Sequence, residues 1–325
     1  MHGLYGSDRR FAALPPELAA YETARAVVLP VPYDATTTFR SGTRDGPRAI
    51  VDASMQLELY DIELQQETAD VGIHTLPELE PHLGDPEQMV SRVCQAVSSV
   101  LQDGKFPLML GGEHTLTAGA VAACAAVYPD LAILYLDAHA DVRGPYLGAK
   151  YNHASALRLS LERLGFAEAE DGLPAGGAAP PAVAVGVRSM AAEEAAYIAS
   201  TRLHVIGADR IAAMRRSGPA ALDGLWAETL ARLGPPRRPL YVSLDLDAFD
   251  PSVVPAVGTP EPGGLDWYEV VSLLRAAASR HPIAMADVME LAPAEGPVAS
   301  AFTAAKVAYK LIGYALIGAH PRPLR

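Results

Sequence analysis

Leu131-Ala132-Ile133-Leu134-Tyr135-Leu136-Asp137-Ala138-His139-Ala140-Asp141 is an apolar run that ends in ionisable residues at alternate positions. The apolar part has the length and residue types of a buried strand. Carboxylates crowded at the end of such a strand are costly, because burial strips their hydration and they repel one another unless a cation neutralises them. The same form recurs in Pro239-Leu240-Tyr241-Val242-Ser243-Leu244-Asp245-Leu246-Asp247-Ala248-Phe249-Asp250-Pro251. Alternate spacing on extended backbone would send Asp137, His139 and Asp141 to one side, and Asp245 and Asp247 likewise. Carboxylate and imidazole donors without a thiolate suit a divalent ion such as manganese, zinc or iron. Taken singly, each motif also fits a plainer reading: Asp-x-His-x-Asp as a capped loop start, Asp-x-Asp as a solvated turn.

Outward from these stretches, strand-like and helix-like segments alternate. Further strands are predicted over 27–31, 106–110, 182–186, 204–206 and 283–288, and helices over 46–59, 88–102, 115–127, 222–233, 267–280 and 300–314. Short apolar strands between helices predict an α/β fold with a parallel sheet covered on both faces. The segment 168–181, rich in Ala, Gly, Pro and acid, reads as a flexible surface loop within a single domain spanning 1–325. In parallel α/β sheets ligands bind beyond the carboxyl ends of the strands. Four predicted strands deliver polar residues there: Gly111-Gly112-Glu113-His114, the two acidic stretches, and Glu290 after the 283–288 strand.

Composition narrows the partners. Net charge is −12 with no basic cluster, which argues against a nucleic-acid surface and weakly favours a cationic ligand. Cys94 and Cys124, both on predicted helices, give no disulfide framework or metal-thiolate spacing and read as small core residues. The first residues lack an apolar signal core, and the longest uncharged apolar run, 118–129, is too short to span a membrane. A cytoplasmic protein without a membrane partner is expected.

Gly111-Gly112-Glu113-His114, Asp137-Ala138-His139-Ala140-Asp141, Ser243 to Pro251, Gly258-Thr259-Pro260-Glu261-Pro262-Gly263-Gly264 and Glu290 together give a chain that resembles the ureohydrolases, the arginase–agmatinase family, over nearly its whole length. The resemblance implies a three-layer α/β/α sandwich with a mainly parallel sheet, assembled as a trimer or hexamer. It implies two manganese ions per chain. His114, Asp137, Asp141 and Asp245 would hold one, and Asp137, His139, Asp245 and Asp247 the other, with Asp137 and Asp245 bridging. Two ions lower the pKa of a bridging water, so that hydroxide attacks a guanidinium carbon near neutral pH. The expected catalytic residues are His153, Asp141 and Glu290: His153 as proton shuttle, Glu290 as the partner of the guanidinium. Thr259 would place a hydroxyl near the same group, and Asp250 would cap a turn or support a ligand.

The resemblance also sorts substrates. The serine–asparagine loop with which arginases hold an α-carboxylate is missing from Val142-Arg143-Gly144-Pro145-Tyr146-Leu147-Gly148-Ala149-Lys150-Tyr151-Asn152. Pro30 to Asp34, Phe39 to Pro47 and Gly186-Val187-Arg188-Ser189 resemble the agmatinase branch, so agmatine, cleaved to urea and putrescine, is the expected substrate. Glu113 and Tyr151 to Ser155 resemble members acting on N1-aminopropylagmatine, which would give spermidine and urea. Guanidinobutyrate would need Arg143 or Lys150 for its carboxylate. A one-zinc deacetylase-like amidohydrolase is a more remote reading, opposed by the Asp245–Asp247 pair. A non-catalytic relative is opposed by a full set of metal positions.

Overall fold

A computed structural model describes residues 9–166 and 178–318. Its strands are β1 (Ala26–Val31), a short antiparallel pair β2 (Tyr60–Asp61) and β3 (Gln66–Glu67), β4 (Ile73–Thr75), β5 (Phe106–Gly111), β6 (Ala132–Leu136), β7 (Ala182–Val187), β8 (His204–Gly207), β9 (Leu240–Asp245) and β10 (Ile283–Met289). The helices are α1 (Pro16–Ala19), α2 (Gly46–Ser54), α3 (Pro86–Gln102), α4 (Thr117–Val127), α5 (Ala156–Arg163), α6 (Ala192–Thr201), α7 (Ala208–Ser217), α8 (Pro219–Arg232), α9 (Trp267–Arg280) and α10 (Val298–Leu316). Eight strands form one sheet in the order β4-β1-β5-β10-β9-β6-β7-β8, every pair parallel.

Two apolar clusters explain the layers. Leu108, Leu110, Leu134, Val242, Leu244 and Val288 face one way and pack with α2, α8, α9 and α10. Met109, Ile133, Tyr135, Tyr241, Met285 and Met289 face the other way and pack with α3, α4 and α5. Strands apolar at every position are thus buried on both faces, which is the three-layer sandwich.

The structure departs from the predicted elements where burial and local polarity disagree. The helix from Gly46 ends at Ser54 rather than 59, and Leu57 and Leu59 reach the same core from the irregular segment that follows it. β4 escaped notice because it is a three-residue edge strand. The polar helix α7, with Asp209, Arg210, Arg215 and Arg216, also carried too weak an apolar pattern to read. Of the expected 168–181 loop, residues 168–177 lie outside the described residues; Pro180 and Pro181 lead into β7. Cys94 is half-buried in α3, Cys124 is buried in α4, and both are free thiols. No helix among the described residues is long and apolar enough to cross a membrane.

One polar cluster ties the β2–β3 hairpin to the helical layer. Lys310 Nζ on α10 donates to both carboxylate oxygens of Asp61 at 3.0 Å and to Glu63 at 2.7 Å, while Tyr314 donates to Glu63 at 2.7 Å. Lys310→Met keeps the stem but leaves Asp61 buried without its cation. A loss of about 3–5 kcal/mol of unfolding free energy is expected, read from chemical denaturation.

Candidate active site

The strands that carry the site are neighbours in the sheet. β5, β10, β9 and β6 are consecutive, so the residues after each carboxyl end meet at one edge. The chain leaves β5 through α4 and enters β6 on the far side of β10 and β9, which opens a crevice there. Gly112 is required at this edge: a Cβ would stand 1.9 Å from the Tyr33 carbonyl oxygen. Its closeness lets the Glu113 N–H bond Tyr33 O at 2.8 Å and turns the chain so that His114 points inward.

The two acidic stretches converge by turns and not by strand alternation. β6 stops at Leu136, and Asp141 takes a left-handed backbone with φ 49°. β9 stops at Asp245, and a 3-10 turn carries Asp247. The turns are made by the acids themselves. Asp137 Oδ1 accepts the His139 N–H at 2.6 Å, and Asp245 Oδ1 accepts the Asp247 N–H at 2.7 Å. The expectation that extended backbone aligns 137, 139 and 141 is therefore corrected: short carboxylates bond the backbone two residues on and fold it.

All six expected metal ligands lie together. Around His114 Nδ1 stand Asp137 Oδ2 and Asp245 Oδ2, each at 3.1 Å, and Asp141 Oδ2 at 3.5 Å. Around His139 Nδ1 stand Asp247 Oδ2 at 3.0 Å and Asp137 Oδ1 at 3.4 Å. Asp137 thus turns one oxygen to each imidazole. Asp245 faces His114 with one oxygen and holds the Asp247 backbone with the other. Asp137 Oδ2 is buried and accepts no hydrogen bond. An orphaned carboxylate oxygen in an all-oxygen-and-nitrogen donor set fits a divalent cation in each of two groups sharing Asp137.

The electrostatics agree. Burial, then neighbouring carboxylates, hold Asp141 and Asp245 well above the usual carboxylate range. Burial opposes charge on His114 as well, but Asp137 and Asp245 outweigh it and raise the imidazole well above its ordinary value. A cluster that draws protons this strongly draws divalent cations by the same field.

Beneath the donors lies a buried hydroxyl layer. His114 Nε2 is 2.7 Å from Ser243 Oγ, which donates to Asp287 at 2.7 Å; Thr117 and Tyr241 donate to the same carboxylate at 2.7 and 2.5 Å. With Ser243 donating to Asp287, His114 donates from Nε2 and keeps the Nδ1 lone pair for the cluster. Ser243 was visible in the Ser-x-Asp-x-Asp stretch. Asp287, alone within an apolar strand, carried the signal that was missed: a buried acid needs a reason.

Glu290, His153 and Thr259 line an open cavity of about 280 Å³ above the cluster. Glu290 is buried, follows β10 with φ 66°, and accepts the His114 N–H at 2.7 Å. Burial, offset in part by His114, holds its carboxyl well above the usual range. His153 Nδ1 faces Glu290 at 3.9 Å; burial and then the charge on His139 push its imidazole down to about 4. Thr259 donates to Asp247 at 3.3 Å. Asp250 touches none of these groups. It accepts from Ser252, Gly263 and Gly264, folding the 250–264 loop, and those bonds outweigh desolvation and lower it to about 2. Arg188, quoted in sequence only as a resemblance, ties the strand ends by donating to the Asp247, Phe249 and Glu261 carbonyls. Arg143 lines the cavity, stacked on Tyr146 and paired with Glu193 and Glu194. Lys150 lines a separate groove and pairs with Glu162.

A parallel three-layer sheet with a buried acid–imidazole cluster at its carboxyl edge defines an α/β metalloenzyme. The chain belongs to the arginase family, a binuclear metal-dependent family whose model matches residues 24–313. It is 36% identical over 303 residues to N(1)-aminopropylagmatine ureohydrolase of Synechocystis sp., covering 91% of each chain. It is 30% identical to agmatinase of Bacillus subtilis, covering 88% of this chain and 89% of that one. The crystal structure of agmatine ureohydrolase of Thermoplasma volcanium superposes with TM-score 0.77 at 31% identity over 91% of each chain.

Proposed function

We propose that this chain hydrolyses the guanidino group of agmatine to urea and putrescine. The observation that carries the reading is the shared use of Asp137 by two donor groups, directly below a cavity where His153 and Glu290 face each other. Two manganese ions, held by His114, Asp137, Asp141, Asp245 and by Asp137, His139, Asp245, Asp247, would supply charge neutralisation and a hydroxide nucleophile at neutral pH. Glu290 pairs with the planar guanidinium and turns its carbon toward the cluster; Thr259 offers a further polar contact there. Attack on that carbon gives a tetrahedral adduct. Its C–N bond to the alkyl chain breaks as the leaving nitrogen takes a proton from His153, leaving urea and a free amine.

The tail is an amine rather than a carboxylate. Arg143, the cation of the cavity wall, is already committed to Glu194 on that wall and to Glu193 outside it, so its charge is not free for a carboxylate. Lys150 is turned to another groove. Both facts count against guanidinobutyrate. Glu193, exposed beside the cavity wall, favours a second reading, the same cleavage of N1-aminopropylagmatine, whose longer chain would carry its additional ammonium out toward this acid. The reading includes a single catalytic unit in the cytoplasm, self-associated as a trimer or hexamer; solution mass measurement checks the assembly.

Urea release by manganese-loaded protein should be compared on agmatine, aminopropylagmatine, arginine and guanidinobutyrate. Turnover confined to the two amines supports the reading, and equal rates on arginine and agmatine would overturn it. Glu290→Gln keeps the shape but loses the charge-assisted pair. It is expected to raise KM for the amine substrate roughly 10- to 100-fold. An unchanged KM would show that the guanidinium is held elsewhere.

A further inference from the structure

His153 must present one nitrogen to the cavity floor, yet its own short 3-10 turn does nothing to orient the ring. We propose that Glu113, Thr36 and Thr38 form a strap that positions His153 and selects its tautomer, with Glu113 as a positioning residue acting through Thr36. The proposal rests on the proton-handling role of His153 given above.

The strap runs from the sheet edge to the ring. Glu113 is fully buried beside the glycine pair, and its carboxylate grips one residue twice: Oε2 accepts the Thr36 N–H at 2.6 Å and Oε1 accepts the Thr36 hydroxyl at 2.5 Å. A hydroxyl has one proton, so Thr36 Oγ1, having given it to Glu113, meets its next neighbour as an acceptor. It accepts the backbone N–H of His153 at 3.1 Å, with the Thr115 hydroxyl 3.3 Å away. Two residues along, Thr38 Oγ1 lies 3.0 Å from His153 Nε2. The other ring nitrogen, Nδ1, faces the Glu290 carboxylate. The proposed tautomer carries its proton on Nδ1, toward Glu290 3.9 Å away, and makes Nε2 the acceptor of the Thr38 hydroxyl. The strap's far end is fixed too, since Asp34 accepts the Gly42 N–H at 2.7 Å and pairs with Arg44. An aspartate at 113 would draw the carboxylate back by one methylene and release Thr36. The longer acid and the threonine loop therefore work as a unit.

The test uses Thr36→Val, Thr38→Val and Glu113→Asp, alone and combined with His153→Ala. Each single variant is expected to lower kcat roughly 3- to 10-fold, with KM and manganese content unchanged. In the His153→Ala background none should cost anything further. The nitrogen-15 spectrum of His153, taken on protein loaded with diamagnetic zinc, should show the Nδ1–H tautomer in the parent and a mixture in Thr38→Val. Losses that multiply with that of His153→Ala, or an unaltered tautomer in Thr38→Val, would overturn the strap. If His153→Ala turns over at the parental rate, the proton-handling role fails, and the tautomer measurement still decides whether the strap orients the ring.

Discussion

Asp137→Ala is expected to abolish urea release, a fall of at least ~10³-fold, and to leave protein that no longer retains a metal pair through gel filtration. The reason is geometric. Asp137 is fully buried, and its two oxygens face the two imidazoles, so its removal damages both donor groups at once. Removing Asp247 would spare the group around His114, and removing Asp141 would spare the group around His139. Those variants should therefore keep part of the metal. The fold should tolerate the loss of Asp137. His114 keeps Ser243 and Asp245, and the space opened is lined by groups that water can satisfy. A full metal complement and full turnover in Asp137→Ala would sink the two-group assignment.

The sheet and the acidic cluster were legible in the sequence because their costs are local. Apolar runs such as Leu131 to Leu136 have no stable place except a buried strand, and carboxylates at their ends require a compensating charge. Chain order alone could not bring β5, β10, β9 and β6 side by side; the family resemblance implied a parallel sheet without giving that order. The supporting residues were harder to read. Asp287 needs three hydroxyl donors, one from α4 and two from β9, and nothing in its own neighbourhood names them. Thr36 and Thr38 sit in a loop that reads as an ordinary polar turn. Their use depends on Glu113 and His153, which are distant in the chain and adjacent only after folding. The same holds for Arg143. Sequence offered it as a carboxylate partner, and only the folded positions of Glu193 and Glu194 show that its charge is taken.

His153→Ala should retain its metal and fall in kcat by about 10²- to 10⁴-fold, the range that a positioned proton carrier contributes. Burial and the positive charge of His139 hold the ring near 4, so it is neutral around pH 7, and cations bound in the adjacent groups push it the same way. Sign matters here. A lowered imidazole charges only as the pH drops toward 4, so its titration sets no limb of the rate profile near neutrality. On the proposed reading its role is relay: Nδ1 would give its proton to the leaving nitrogen while Nε2 takes one from the Thr38 hydroxyl, which is exposed to solvent that replaces it. In His153→Ala the pH–rate profile near neutrality should keep its shape and scale down as a whole. Added imidazole should then restore part of the rate, because a free ring fits the space vacated by the side chain. The same addition should do nothing for Asp137→Ala, where the nucleophile is missing rather than the proton. A His153→Ala protein that loses its metal while remaining folded would make His153 a ligand and remove it from the proton route.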